Sequence, residues 1–201
     1  RALRIEEAAY GPNHTQVAST LSNLGNVCRM LGDYPKAKEM LERALRINEA
    51  AYGPNHTQVA ITLTNLGNVC SSLGDYPKAK ELLERALRIK EAAYGPNHTS
   101  VSTTLGILAS VLNSMKDAQQ AKQLLERALA IERHAYGPDH PSVCYKETHL
   151  AHSLELLGST DEAIRLHEHV LSVRQAFYGP DHMLTKETEN NLARLRFRPS
   201  S

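Results

Sequence analysis

Ten histidines stand in a 201-residue chain that has no tryptophan and only 2 phenylalanines. His134, His140, His149, His152, His167 and His169 fall within 36 residues of one another. His149 and His152 are three apart, so on a helix they share a face and could share a metal ion. No cysteine or carboxylate completes a recognised ligand set, so a solvated or groove-lining pair is expected, and no metal. Such a pair could make partner binding respond to pH near 6.5. Cys28 and Cys70 recur at matching apolar positions and read as core. Cys144 lies near a connector, where it could be exposed, but no motif activates it. There is no glycine-rich phosphate loop, no Ser-His-Asp arrangement and no acid pair beyond ordinary helix faces. No enzyme and no cofactor are expected. Arg194, Arg196 and Arg198 read as a frayed terminus before a nucleic-acid site.

Lys+Arg 23 against Asp+Glu 22 leaves a net charge of +1, which gives no chain-wide field for nucleic acid or a membrane surface. At 41% hydrophobic and 22% charged, the chain is too apolar for disorder. No apolar run is long enough to span a bilayer. Three cysteines make no disulfide framework, and Arg1 opens no signal-peptide pattern. A reduced, cytoplasmic protein is expected.

Five histidines belong to something else. Tyr-Gly-Pro-Asn/Asp-His recurs at Tyr10, Tyr52, Tyr94, Tyr136 and Tyr178, always 42 residues apart. Cut at that period, the chain becomes units 1–42, 43–84, 85–126, 127–168 and a partial 169–201, with no linker between them. It reads as a single array over 1–201, and as a segment of a longer protein because it opens partway through a unit. Within a unit, Val17, Leu21, Leu24, Val27, Cys28 and Leu31 make a three-and-four stripe along one helix. Gly32-Asp33 breaks it, and Pro35 suits the first turn of a second helix whose stripe is Ala37, Met40, Leu41, Ala44, Leu45 and Ile47. Glu42-Arg43 and its repeats suggest local salt bridges. One such pair is too small to enclose a core. Stacked neighbours bury a continuous one.

The spacing Leu21, Leu24-Gly25, Cys28, Gly32, Tyr34, Ala37, Leu41, Ala44 resembles the tetratricopeptide repeat (TPR), in its longer kinesin light chain and nephrocystin-like form. Gly25, Gly67, Ala109, Ala151 and Ala193 match that family's first small site. Ala37, Ala79, Ala121 and Ala163 match the second, and Ala44, Ala86 and Ala128 the third. The resemblance implies an all-α, right-handed α-solenoid of stacked antiparallel helix pairs, with first-type helices lining its concave side. Departures gather late: Glu147 and Glu189 at the opening apolar site, Lys116-Asp117-Ala118 for Gly-Asp-Tyr, and His167 and Val170 in the fourth unit.

Units one and two differ at only six positions, and four of these lie on the first helix: Ser19/Ile61, Ser22/Thr64, Arg29/Ser71 and Met30/Ser72. They fall away from the apolar stripe, as specialisation of a binding face would place them. Asn23, Asn26, Asn65 and Asn68 recur mid-helix although Asn is a mediocre helix former. A carboxamide both donates and accepts, so it can pair with a peptide backbone; inter-helix bonding is the alternative. Thr103, Ser110, Asn113, His149, His152, Asn190, Asn191 and Arg194 continue the strip. Ser22, Thr64, Thr103 and Ile107 stand where a carboxylate clamp would need lysine. The expected function is a protein-interaction scaffold that docks an extended or helical segment of a protein partner. The alternative is a spacer that self-associates end to end. Neither nucleic acid nor membrane is an expected partner.

Overall fold

The computed structural model describes residues 2–197. Among these there are ten α-helices and no strand: α1 Ala2–Tyr10, α2 Thr15–Met30, α3 Tyr34–Tyr52, α4 Thr57–Ser72, α5 Tyr76–Tyr94, α6 Thr99–Ser114, α7 Ala118–Tyr136, α8 Pro141–Leu156, α9 Thr160–Tyr178 and α10 Met183–Arg196. They fall into two compact units, Arg1–Pro96 with α1 to α5 and Asn97–Ser201 with α6 to α10. No described helix is long and apolar enough to cross a membrane.

The connector explains half of the histidines. Gly53 sits at φ 85° and ψ 162°, a region essentially reserved for glycine that would cost a side-chain-bearing residue about 1–3 kcal/mol, and its N–H closes α3 on the Glu49 carbonyl. His56 then caps α4. Its Nδ1 accepts from the Gln58 N–H at 3.2 Å, while Tyr52 stacks on the imidazole with centroids 4.6 Å apart. His14, His98, His140 and His182 cap their helices in the same way. At the shorter turn inside each pair, Asp75 caps α5 by accepting from Lys78 N–H. The equivalent of Gly74 in the third repeat is Lys116, held at φ 63°.

In the first unit, α2 packs on α3 and α4 on α5, with α1 against α2 and α3 against α4. Val17, Ala18, Leu21, Ala44 and Ile47 form a buried cluster that Leu3 and Met40 complete. Close approach requires the glycines. A Cβ on Gly25 would lie 2.8 Å from Leu41 Cγ, and one on Gly67 2.8 Å from Leu83 Cγ. In the second unit Ala109 and Ala151 fill the same site fully buried, whereas Ala193 on α10 is exposed. Of the cysteines expected in the core, Cys70 is buried and Cys28 only half-buried. Cys144, which its place near a connector could have left exposed, is instead buried with Val170 and Val173, and burial drives its thiol up to about 11.

The local salt bridges expected at Glu42-Arg43 and its repeats form on the acids, with Lys38–Glu42, Lys80–Glu84 and Lys122–Glu126 four residues apart, but not on Arg43 or Arg85. Arg43 does not pair with Glu42. It reaches Glu7 at 2.6 Å and the Pro12 carbonyl at 2.8 Å, and Arg85 repeats this with Glu49 at 2.6 Å and Pro54. These bonds join equivalent helices of successive repeats. Arg194 and Arg196 are likewise not frayed: they pair with Glu155 at 2.7 Å and Glu168 at 2.5 Å. Arg198 lies outside the described residues.

The fourth repeat rebuilds this joint. Arg133 stands where Glu7 and Glu49 stand, and His169 where Arg43 and Arg85 stand, so the usual pair would be two cations. The anion comes instead from Glu147, at the site of Leu21, Leu63 and Leu105. Its carboxylate, 1% exposed, accepts from Arg133 at 2.6 Å and from His169 Nδ1 at 2.7 Å. His169 Nε2 meets Asp139 at 3.1 Å. Burial by itself would lower the His169 imidazole, but its hydrogen bonds to Glu147 and Asp139 outweigh that and raise it above 6.5. Beside it, Lys146 and Glu132 form a buried pair at 2.7 Å, with Ser102 donating to Glu132.

Candidate functional site

The first-type helices α2 and α4 carry the binding residues expected in the first unit. Ser19, Asn23, Met30 and Ile61 are exposed, and Ser22, Asn26, Arg29, Asn65, Asn68 and Ser71 are half-buried or buried. None of the Asn23, Asn26, Asn65 and Asn68 amides has a hydrogen-bond partner among the described residues, so none of them ties one helix to another. Thr64 is different: it is buried and its hydroxyl donates to the Ala60 carbonyl at 2.8 Å. With its hydroxyl engaged and its side chain buried, it offers little to a partner.

In the second unit the expected residues Ser110, Asn113, His149 and His152 line one open cavity of about 320 Å3. Asn191 and Arg194 on α10 close its far side, while Asn190 is exposed outside it. Thr103 is exposed about two turns before Ser110 on α6 and donates to the Thr99 carbonyl. Asn113 serves structure. It is buried, accepts from Ser153 Oγ at 3.0 Å and donates to the His149 carbonyl at 3.5 Å, which fastens α6 to α8. Inter-helix bonding, one of the two readings of the asparagines, is therefore what this one does.

Four wall residues were not among those expected at the site: Ser114, Thr148, Glu155 and His167. Glu155 lies one turn beyond His152, its side chain 8% exposed, and His167 comes from α9, 2% exposed. Glu155 receives Arg194 at 2.7 Å and faces His167 Nε2 at 3.7 Å. His167 Nδ1 is buried with no partner. Burial lowers the His167 imidazole, against the pull of Glu155. Burial, then the charges of His152 and Lys146, lower His149, whose ring meets the edge of Tyr145 at 4.5 Å. Both imidazoles are thus neutral at pH 7, able to donate from one nitrogen and accept at the other. The signal for His167 was present as a polar residue at an apolar site; for Glu155 only its spacing from His152 pointed there. Among the described residues, no group of His, Cys, Asp or Glu is placed to hold a metal ion.

Helix pairs of fixed length, small residues at each crossing and polar first-helix faces define a helical-repeat binding fold. The tetratricopeptide repeat family model matches residues 1–50, 39–92, 58–133 and 143–199, and the chain belongs to that family. No curated protein matches it in sequence. Among solved structures it is similar to a kinesin light chain-like protein of nearly identical TPR-like repeats from Podosopora anserina, seen in two crystal structures, one of them of a substituted form. The TM-scores are 0.77 and, for the substituted form, 0.78, each at 24% identity over 90% of this chain and 86% of the other. It is also similar to BtubC (BKLC) from P. vanneervenii, with a TM-score of 0.73 at 17% identity over 100% of this chain and 89% of that one. At these identities the likeness establishes the fold.

Proposed function

We propose that the chain is one continuous repeat array and a protein-interaction scaffold that binds an extended or helical segment of a partner protein. Its first-type helices supply the contacts. The observation that carries this reading is the run of polar side chains with no hydrogen bond to the protein among the described residues: Asn23, Asn26, Asn65 and Asn68 on α2 and α4, then His149, His152 and Asn191 in the second unit. A mid-helix amide with no structural bond gives the fold nothing that alanine would not, whereas a peptide backbone can use both its donor and its acceptor. A groove ordered before binding leaves most of the entropy loss to the peptide, which suits affinities of roughly micromolar, or about −8 kcal/mol. The partner is a protein in this reading, with no catalytic step and no cofactor, and the reduced thiols suit a cytoplasmic location.

Selection of peptides from a random display library, followed by calorimetric titration, tests it. Asn26→Ala combined with Asn68→Ala should weaken a selected peptide about tenfold while the melting temperature stays level. Unchanged binding with a lowered melting temperature, or no peptide bound at about millimolar concentration, would sink it.

A further inference from the structure

The charges around the cavity of the second unit cancel inside it. Arg194, its one cation, lies at 2.7 Å from Glu155, its one anion, and that carboxylate also faces His167. Four groups remain without a side-chain hydrogen bond to the protein among the described residues: the Ser110 hydroxyl, the His149 and His152 rings and the Asn191 amide. Each of them can both donate and accept. Lys146, the other cation near His149, is held by the buried Glu132 at 2.7 Å. The wall carries one further polar atom with no partner, Nδ1 of His167, whose side chain is 2% exposed.

We infer that this cavity accepts an uncharged carboxamide side chain, Asn or Gln, from an extended partner segment and discriminates against carboxylate and ammonium groups. The inference rests on the scaffold reading and names what one part of the partner must contain. A carboxylate only accepts, so it leaves the acceptor nitrogens of the wall unmatched. It also meets no free cation, because the Arg194 charge is already neutralised. An ammonium only donates and finds Glu155 taken from two sides. Either would enter a half-enclosed site as an unpaired charge, the costliest group to desolvate. A carboxamide brings two donors and an acceptor to wall groups that can do both. About 320 Å3 holds a side chain and its flanking peptide groups, and excludes a whole helix.

The test titrates the 15N-labelled chain at pH 7.5 with four N-acetyl, N′-methylamide compounds, those of Asn, Gln, Asp and Lys, followed by backbone amide shifts. The Asn and Gln compounds should perturb His149, His152 and Asn191 and bind at least about fivefold tighter than the other two. That ratio should persist from about 20 to about 300 mM salt, since no charge is recognised. Glu155→Gln releases Arg194 and should reverse the order, with the Asp compound about fivefold ahead of the Asn compound. Asn191 makes no structural bond, so Asn191→Ala keeps the question open if Glu155→Gln does not fold; it should weaken the Asn compound about threefold at an unchanged melting temperature. Equal or tighter binding of the Asp or Lys compound to the unaltered chain would overturn the inference. So would the absence of shifts at this site, or indifference to Asn191→Ala. Binding of display-selected peptides through α2 and α4 is read separately, so failure here and failure of the scaffold reading are distinct results.

Discussion

A single leucine exchanged for glutamate shows how one residue recasts its neighbours. Glu147 occupies the site that Leu21, Leu63 and Leu105 fill with buried hydrocarbon, and it is tolerated because Arg133 and His169 have come to meet it. A buried ion pair seldom outperforms an apolar replacement, since desolvation cancels most of the Coulomb gain. Both cations here are partly exposed, at 47% and 35%, so water can solvate them if the anion goes. Glu147→Leu should therefore leave stability unchanged or raise it by about 1–2 kcal/mol, seen as a melting temperature no lower than that of the parent. The same variant should reduce a pH dependence. His169 binds its proton more tightly folded than unfolded, so its contribution is complete below 6.5 and is lost as pH rises through the elevated folded value. Melts between about pH 6 and 9 should fall in the parent and fall less in Glu147→Leu, where Asp139 alone still holds the His169 proton. His149 and His167 act with the opposite sign. Their charged forms are disfavoured by burial, so what they contribute is present above 6.5 and lost as the medium acidifies through the lowered folded values.

At the scale of the element, the helices are defined by their ends as much as by their stripes. The imidazole of His56 takes the role usually given to Ser, Thr, Asp or Asn, and Tyr52 pins its orientation. His56→Ala should cost about 1 kcal/mol by removing that acceptor, and His56→Asp should recover most of it; thermal melts at neutral pH distinguish the two. Lys116 is the converse case. A lysine at φ 63° bears the left-handed penalty that glycine avoids in the other repeats, so Lys116→Gly should stabilise by up to about 1 kcal/mol. Helix interiors show a similar balance. Gly67→Ala improves helix propensity by about 1 kcal/mol but drives a methyl to 2.8 Å from Leu83 Cγ, and overpacking of about 1–3 kcal/mol should dominate. A raised melting temperature for that variant would show that α4 and α5 can separate more easily than their contact implies.

Over the whole molecule, the consequence of repetition is locality. Within each unit a helix packs against its immediate neighbours and, in α2·α4 and α6·α8, the next first-type helix, while side-chain ion pairs join α1 to α3, α3 to α5 and α8 to α10. Stability is then nearly a sum over adjacent pairs. Leu63→Ala, at a fully buried site, should cost about 2–5 kcal/mol. Hydrogen exchange should show that loss at the amides of α4 and its contact partners α2, α3 and α5, with α8 and α9 unchanged. A uniform loss across all ten helices would contradict locality.

Period, helix order and the small residues at each crossing follow from the amino-acid sequence alone, because each is a local rule repeated along the chain: a stripe at helical spacing, a break between paired helices, a connector every 42 residues. The asparagines could also be picked out as candidates, since only their propensity had to be judged. What the sequence could not decide was which polar groups remain unengaged. Asn26 and Asn113 look alike in one dimension, yet one is without a partner and the other fastens α6 to α8. Cys144 could have been accessible until α9 covered it with Val170 and Val173. Glu155 gains its meaning only when Arg194, 39 residues later, arrives at 2.7 Å. Hydrogen bonds and ion pairs depend on distances of a few ångströms between residues remote in sequence, and only packing sets those distances.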